Sequence, residues 1–252
     1  MKIIITLLLA SALFLTGCKS LEPFVKMAGD IAGQTAQQNL APSQADSSSA
    51  IKQALGKGVS TAIASLGREG GFSATAFKIP LPEQVQSTAD TARKLGLNKY
   101  VDEFELSMNQ AAEKAVPVAA DVFKGAIAQM SMQDVVGILT GGESAATDYF
   151  KRTSGSVLES KFKPIVTDAT AKVGVTNHYK KMGDKVQKYG QFLGVSAPAA
   201  VDLDGYITQR STDALFSKIA DEEKLIRANP VQRTTELLQK VFGYYSKAKP
   251  AA

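Results

Sequence analysis

The stretch NKYVDEFELSMNQAAEKA, residues 98–115, decides the fold class of this chain. On a helical wheel with about 100° between successive residues, its apolar side chains fall within one arc of about 120°. These side chains are Tyr100, Val101, Phe104, Met108, Ala111, Ala112 and Ala115. Such a stripe predicts an amphipathic α-helix with one face in a core.

A row of carboxylates and one amide lies beside this apolar stripe on the same wheel. The row, called the acidic stripe below, consists of Asp102, Glu105, Asn109 and Glu113. Aligned side chains of this kind are typical of a water-exposed face, of ion pairs with arginines on a neighbouring helix, or of a ligand or hard-cation site. The sequence leaves these three alternatives open.

The helical spacing of apolar residues recurs over most of the chain. It predicts helices over residues 50–66, 83–95, 98–115, 143–152, 156–173, 176–189 and 202–228, with others that begin near Pro117, Ser131 and Pro230. No run of alternating β-branched residues predicts a strand. The predicted fold class is therefore all-α, with a single compact multi-helix domain.

Polar residues at several predicted helix starts are candidate caps. Ser131 and Asp134 have the spacing of a capping box. Asn98, Asp202 and Asn229 each precede or open a helical pattern, where an Asn or Asp side chain can accept a backbone N–H. These positions define the predicted helix boundaries.

The first twenty residues predict export and lipidation. After Lys2 the chain is apolar from Ile3 to Leu15, which is shorter than the ~20 residues that span a bilayer as a helix. A charged start, a short apolar segment and a small-residue exit are typical of a secretory signal. The exit, Leu15-Thr16-Gly17-Cys18, resembles the bacterial lipobox, whose cysteine receives a diacylglycerol through its sulfur. The alternative for Cys18 is a buried free thiol, which its place at the cleavage position disfavours.

This interpretation divides the chain into four segments: a lipoprotein signal peptide at 1–17, a lipidated N-terminus and flexible tether at 18–49, the helical domain at 50–245 and a disordered tail at 246–252. Lys19 follows the cysteine, and an Asp at that position favours inner-membrane retention in enteric bacteria. The sequence therefore predicts a lipid anchor in the outer membrane facing the periplasm, with surface exposure and the inner membrane as alternatives.

A second group of charged residues lies in the C-terminal part of the chain. Leu215, Ile219, Glu222 and Ile226 share one face of a predicted helix. Glu222 would then be a charge on an apolar row, and an unpaired charge there would be costly.

Arginines near this row are the expected partners. Arg233 is placed in the first turns of the last predicted helix, beside its apolar stripe. We expect Glu222 or Glu223 to pair with Arg227 or Arg233 across the Asn229-Pro230 corner. A buried ion pair that holds the corner is favoured over a catalytic role.

No recognisable catalytic, metal or cofactor motif accompanies these residues. His178 is the only histidine, so zinc sites of the His/Cys kind and di-metal sites with two histidines have too few ligands. No G-x-S-x-G sequence displays a nucleophile, and the glycines of residues 67–71 lack the spacing of a phosphate-binding loop. We expect no cofactor and no metal. The net charge of +5 has no block of like charges, which disfavours nucleic acid as a partner.

Several long blocks resemble one bacterial lipoprotein family. They are GGFSATAFKIPLPE (70–83), ARKLGLNKYVDEFELSMNQAAEKAVP (92–117), MSMQDVVGILTGGESAATDYFKRTS (130–154), KFKPIV (161–166) and IRANPVQRTTELLQKVFG (226–243). In this order they resemble domain-of-unknown-function family 4197 (DUF4197) over about residues 50–243. The resemblance implies an exported, usually lipidated, helical domain without an assigned activity, and it supplies no catalytic residues.

The favoured function is a non-catalytic, lipid-anchored helical protein that binds a protein, lipid or glycan partner of the bacterial envelope. The membrane itself is a partner through the lipid anchor. The alternatives are an envelope hydrolase that uses carboxylates of the 98–115 helix and a carrier with an apolar cavity between helices. The sequence does not predict an oligomeric state.

Overall fold

The computed structural model describes residues 41–190 and 200–247. The helices are α1 (Gln44–Leu66), α2 (Glu83–Lys94), α3 (Asn98–Ala115), α4 (Ala119–Ala128), α5 (Met132–Thr140), α6 (Ala145–Val173), α7 (Val175–Gly190), α8 (Leu203–Ala228) and α9 (Glu236–Lys247). Short 3₁₀ turns occur at Val116–Val118 and Pro230–Gln232, and these described residues contain no strand. The predicted all-α fold class is therefore confirmed.

The described residues from Pro42 onward form one compact unit. The predicted signal peptide, Cys18, the tether as far as residue 40 and the tail beyond residue 247 lie outside the described residues. Within the described ranges, no helix is both long enough and apolar enough to cross a membrane.

Helix α6 is the centre of the packing. It contacts α3, α4 and α8, while α1 packs against α4, α5, α8 and α9. Among the side chains that are fully buried are five phenylalanines: Phe72, Phe104, Phe123, Phe150 and Phe162. Phe123 and Phe150 meet edge to face with 4.9 Å between ring centroids, a preferred geometry for aromatic pairs. The core thus joins α4 and α6 at the middle of the domain.

The continuity of α6 contradicts the prediction of two helices at 143–152 and 156–173. A single helix runs through Gly155 and Pro164. Its buried face continues across this region through Ser154, Leu158 and Phe162, spaced by four residues. Because Pro164 lies on the exposed side, water can hydrogen-bond the backbone groups that its ring leaves unpaired. Tertiary packing overrides the local helix-breaking signal here.

The start of α1 also differs from the prediction, because residues 44–49 were assigned to the flexible tether. Helix α1 begins at Gln44, and the Ser43 hydroxyl accepts a hydrogen bond from the Asp46 N–H at 3.0 Å. The Asp46 carboxylate pairs with Lys240 of α9 at 2.9 Å. A serine-rich sequence that resembles a linker is therefore an N-capped first turn attached to the domain.

Two predicted caps are confirmed. Ser131 and Asp134 form a reciprocal capping box at the start of α5. The Asp202 carboxylate accepts from the Gly205 N–H at 2.9 Å at the start of α8.

Two other predicted caps do not begin the helices assigned to them. Asn98 is the first residue of α3 and its side chain does not cap that helix. The Asn229 Oδ1 accepts from the Val231 N–H at 3.0 Å, but this contact lies at a 3₁₀ turn and not at the last helix, which begins at Glu236. There the Thr235 hydroxyl accepts from the Leu238 N–H at 3.2 Å. Arg233 consequently lies in the connection between α8 and α9.

Replacing a core residue of α6 tests this packing. Leu158 is 0% exposed and its neighbour Val157 is 43% exposed. We expect Leu158→Ala to lower the free energy of unfolding by about 2–5 kcal/mol because it leaves a cavity. Val157→Ala, the matched control, should change it by less than about 0.5 kcal/mol. Urea unfolding followed by circular dichroism measures both, and equal effects would contradict the assigned burial.

Candidate functional site

The acidic stripe of α3 lies against the segment that connects α1 to α2. Asn109 is fully buried, and its Oδ1 accepts from the Ile79 N–H at 2.8 Å. Its Nδ2 donates to the Ile79 carbonyl at 3.2 Å and to the Glu105 carbonyl at 2.7 Å. One amide side chain therefore satisfies both backbone groups of a buried residue that belongs to no helix.

Glu113 makes the equivalent contact at the other end of the same segment. Its Oε1 accepts from the N–H groups of Phe72 and Ser73 at 3.1 Å and 3.4 Å. Glu113 is 5% exposed, and Phe72 is fully buried beside it. The carboxylate thus holds the turn that places Phe72 in the core.

The remaining carboxylates of the stripe form ion pairs. Glu105 accepts from Lys78 at 2.7 Å and from Arg93 of α2 at 3.0 Å. Asp102, whose side chain is 62% exposed, also pairs with Arg93 at 3.0 Å. The hydrogen bond that Arg93 donates to Asp102 and the nearby charge of Glu105 raise the pKa of the Arg93 guanidinium. These contacts attach both the connecting segment and α2 to α3.

The structure therefore brings all four stripe residues together as a row of attachment points for residues 72–93. This arrangement matches the ion-pair alternative, extended by hydrogen bonds to the backbone. In the described part of the chain, no group of three or more His, Cys, Asp or Glu side chains could hold a metal ion.

Glu223 is the buried carboxylate of the second predicted group. Its side chain on α8 is 6% exposed. It accepts from the N–H groups of Ala146 and Thr147, each at 2.9 Å, and from the Thr147 hydroxyl at 2.9 Å. Helix α6 has no side-chain cap from Ser144, its own N-cap residue. Glu223 supplies that cap from another helix, where a negative charge is favoured by the helix dipole.

Arg227 neutralises Glu223 and reaches a third helix. Its Nε and Nη2 donate to Glu223 Oε1 at 2.9 Å and 2.8 Å. Nη2 also donates to the carbonyl of Ile138 in the last turn of α5 at 2.8 Å. The pair therefore connects α8 to the start of α6 and to the end of α5.

Arg233 binds the end of α8 from the connection that follows. Its Nε donates to the Ile226 carbonyl at 3.2 Å and its Nη2 to the Arg227 carbonyl at 2.7 Å. Its guanidinium lies over the Phe242 ring, 5.9 Å from the centroid. Arg233 is 7% exposed, and this burial lowers the pKa of its guanidinium. Glu223, Arg227 and Arg233 are called the Glu223 cluster below.

The geometry corrects part of the predicted pairing. Glu223 does pair with Arg227, but both belong to α8, so the pair does not cross the Asn229-Pro230 corner. Glu222 pairs with Lys218 of its own helix at 3.0 Å. Arg233 forms no ion pair with a carboxylate of the described residues. Helix α8 contacts both α1 and α6, so its buried face is wider than the single apolar row predicted from the sequence. This wider face includes Glu223.

Sequence reasoning missed the partners of Glu223 because they are backbone N–H groups. The residues that carry them lie in the block 130–154, and the cluster lies in or beside the block 226–243. Both blocks belong to the stretches that resemble the family, and this shared resemblance was the one sequence feature that could have suggested a contact between them.

A groove lies beside the Glu223 cluster. Its volume is about 240 Å³. It is lined by Leu139, Gly141, Glu143, Lys224, Arg227, Ala228, Arg233, Phe242, Tyr245 and Ser246. It is called the C-terminal groove below.

The chain forms an all-α domain in which the charged side chains of the Glu223 cluster connect the ends of helices. Residues 41–243 match the family model described as protein of unknown function (DUF4197). The chain belongs to this family. No match was found among curated proteins or among solved structures.

Removing the Asn109 amide tests the attachment of the connecting segment. Asn109→Ala leaves the buried N–H and carbonyl of Ile79 without partners, which should lower the free energy of unfolding by about 1–3 kcal/mol. Hydrogen exchange at residues 72–80 should become faster. Gln110→Ala, at a partly exposed neighbour on α3, is the control. Unchanged exchange in Asn109→Ala would contradict this role.

Glu223 and Glu222 form a matched pair of variants. Glu223→Ala leaves two helix N–H groups and the Arg227 charge without their acceptor, so we expect a loss of about 3–5 kcal/mol in the free energy of unfolding. Glu222→Ala removes the ion pair with Lys218 of the same helix but leaves no backbone N–H without an acceptor, so it should lower the free energy of unfolding by less, about 1 kcal/mol. Denaturant titrations compare the two. A smaller effect for Glu223→Ala than for Glu222→Ala would refute the capping role.

Proposed function

We propose that this protein is a lipid-anchored, non-catalytic helical protein that binds a protein, lipid or glycan partner on the periplasmic face of the outer membrane. The lipobox-like exit at Cys18 supports the anchor. The observation that supports a non-catalytic role is that the candidate carboxylates form hydrogen bonds and ion pairs within the domain.

Each of these carboxylates already has structural partners. Glu113 and Glu223 accept backbone N–H groups, and Asp102 and Glu105 pair with Arg93. A general acid or base needs a carboxyl group that can reach a substrate proton. Each of the three most buried of these side chains, those of Glu105, Glu113 and Glu223, has at least one oxygen bound to the protein's own backbone or cations, which disfavours the hydrolase alternative.

The space between α1, α5, α6 and α8 is too small for the carrier alternative. A cavity between α1, α5, α6 and α8, lined mainly by apolar side chains such as Ile51, Leu55 and Phe150, has a volume of about 30 Å³. That volume holds about one water molecule, far less than an acyl chain. We therefore assign partner binding to the surface of the domain.

The anchor is tested with Cys18→Ser. Without the sulfur no diacylglycerol thioether can form, so we expect the variant to lose incorporation of labelled fatty acid and to keep its signal peptide. After urea or alkaline washing, the wild-type protein should remain with the outer-membrane fraction. Ser20→Ala, two residues away, is the control and should behave as wild type. Fatty-acid labelling of Cys18→Ser at the wild-type level would overturn the anchor.

Partner binding is tested in the same envelopes. Chemical crosslinking followed by purification and native mass spectrometry should recover the wild-type protein with a defined envelope component. Recovery of the protein alone, with no bound lipid, glycan or protein, would count against the binding role.

A further inference from the structure

The C-terminal groove contains a buried cation that no carboxylate of the described residues neutralises. Arg233 is 7% exposed and lines this groove. Among the described residues, its hydrogen bonds go to the carbonyls of Ile226 and Arg227 and none goes to a carboxylate. Buried charges in proteins are normally paired with an opposite charge. Here the carbonyls at the end of α8 compensate the charge only in part.

One nitrogen of the Arg233 guanidinium is available for a ligand. Nε and Nη2 are used by the two carbonyls, whereas Nη1 donates no hydrogen bond within the described part of the chain. Among the described residues, Thr208 Oγ1 is the one side-chain nitrogen or oxygen that is inaccessible to solvent and has no hydrogen-bond partner. Since Nη1 of Arg233 has no partner in this part of the chain and is not such an atom, it must be accessible to solvent. The groove is the solvent-filled space that Arg233 lines.

The other charges of the groove leave a small positive excess. Arg227 is neutralised by Glu223 at 2.8 Å. Lys224 is exposed and forms no ion pair in the described residues, and Glu143 is the one acidic side chain among the lining residues. Arg233 and Lys224 together thus outweigh Glu143, an arrangement that favours an anionic ligand.

Apolar and hydroxyl-bearing side chains complete the groove. Leu139 and Phe242 line it, together with Tyr245 and Ser246, whose hydroxyl groups can donate hydrogen bonds. Apolar walls with a few convergent polar groups are typical of small-molecule sites.

We propose that the C-terminal groove binds a small molecule whose anionic group, a carboxylate or a phosphate, is attached to an apolar portion. The Arg233 guanidinium and the Lys224 ammonium bind the anion, and Leu139 and Phe242 contact the apolar portion. This inference deepens the binding role proposed above and rests on it, because it names the chemistry of the ligand.

Isothermal titration calorimetry tests the groove with three soluble probes: butyrate, butyl phosphate and 1-butanol. The full chain is used in dodecyl maltoside, a nonionic detergent without an anionic group, and micelles alone are the blank. We expect at least one of the two anions to bind more tightly than the neutral alcohol and to weaken as salt is added. The tighter anion identifies whether the ligand is a carboxylate or a phosphate.

Variants assign the binding to the groove. Lys224→Gln should weaken binding of the preferred anion by about two- to fivefold. Arg233→Gln should weaken it by about tenfold or more, because a charge-assisted hydrogen bond at a buried site is lost. Glu143→Gln should tighten it, since a like charge is removed. Lys181→Gln, an exposed charge on α7, is the control and should bind as wild type.

Two results would overturn the proposal: binding of 1-butanol as tight as that of both anions, or the same affinity in Lys224→Gln as in wild type. If Arg233→Gln does not fold, Lys224→Gln still decides the question. Failure of the groove to bind anions would leave the fatty-acid labelling at Cys18 unchanged, so the lipid anchor and the groove can fail separately.

Discussion

The structure depends on one buried carboxylate, that of Glu223. Helix α6 is the centre of the core, yet its N-terminus is buried and receives no side-chain cap from Ser144. Two of its first N–H groups donate to Glu223 on α8, and Arg227 both neutralises that carboxylate and binds the last turn of α5. A buried charge is tolerated only when it is paired and hydrogen-bonded, so the ends of three helices must meet at this point for the carboxylate to be satisfied. The Glu223 carboxylate and Arg227 thus connect the start of α6, the last turn of α5 and α8 at one buried point.

The acidic stripe obeys the same physical rule on α3. The segment between α1 and α2 has buried backbone groups that no helix satisfies, and the side chains of α3 replace the missing partners. In both places long helices supply side chains to backbone groups elsewhere. The consequence for function is that the most conspicuous carboxylates are engaged within the fold. Arg233, by contrast, lines a groove and keeps one guanidinium nitrogen without a hydrogen-bond partner among the described residues, which is why the binding chemistry is proposed there.

Much of the fold was predictable because it depends on sequence patterns that extend over only one or two helical turns. The 98–115 stripe, the capping box of Ser131 and Asp134, and the Asp202 cap depend on residues within one or two helical turns, and each is found in the structure. The errors share a cause. The predicted break in α6 and the predicted tether at residues 44–49 were local signals that contacts from distant residues override. The roles of Asn109 and Glu223 were hidden because their partners are backbone groups about 30 and 77 positions away in the chain.

By itself, the sequence determined the fold class, the amphipathic faces, most helix starts and membership of the family, since hydrophobic periodicity and capping act over a few residues. The lipid anchor at Cys18 is also a sequence-level prediction. Only the tertiary structure decided which charges are buried and what they bind, because a helical wheel specifies the direction of a side chain but not the helix end that meets it. It placed Glu223 at the start of α6 and Arg233 at the end of α8, beside a groove. Those contacts join segments that are distant in the chain, and only packing brings such segments together.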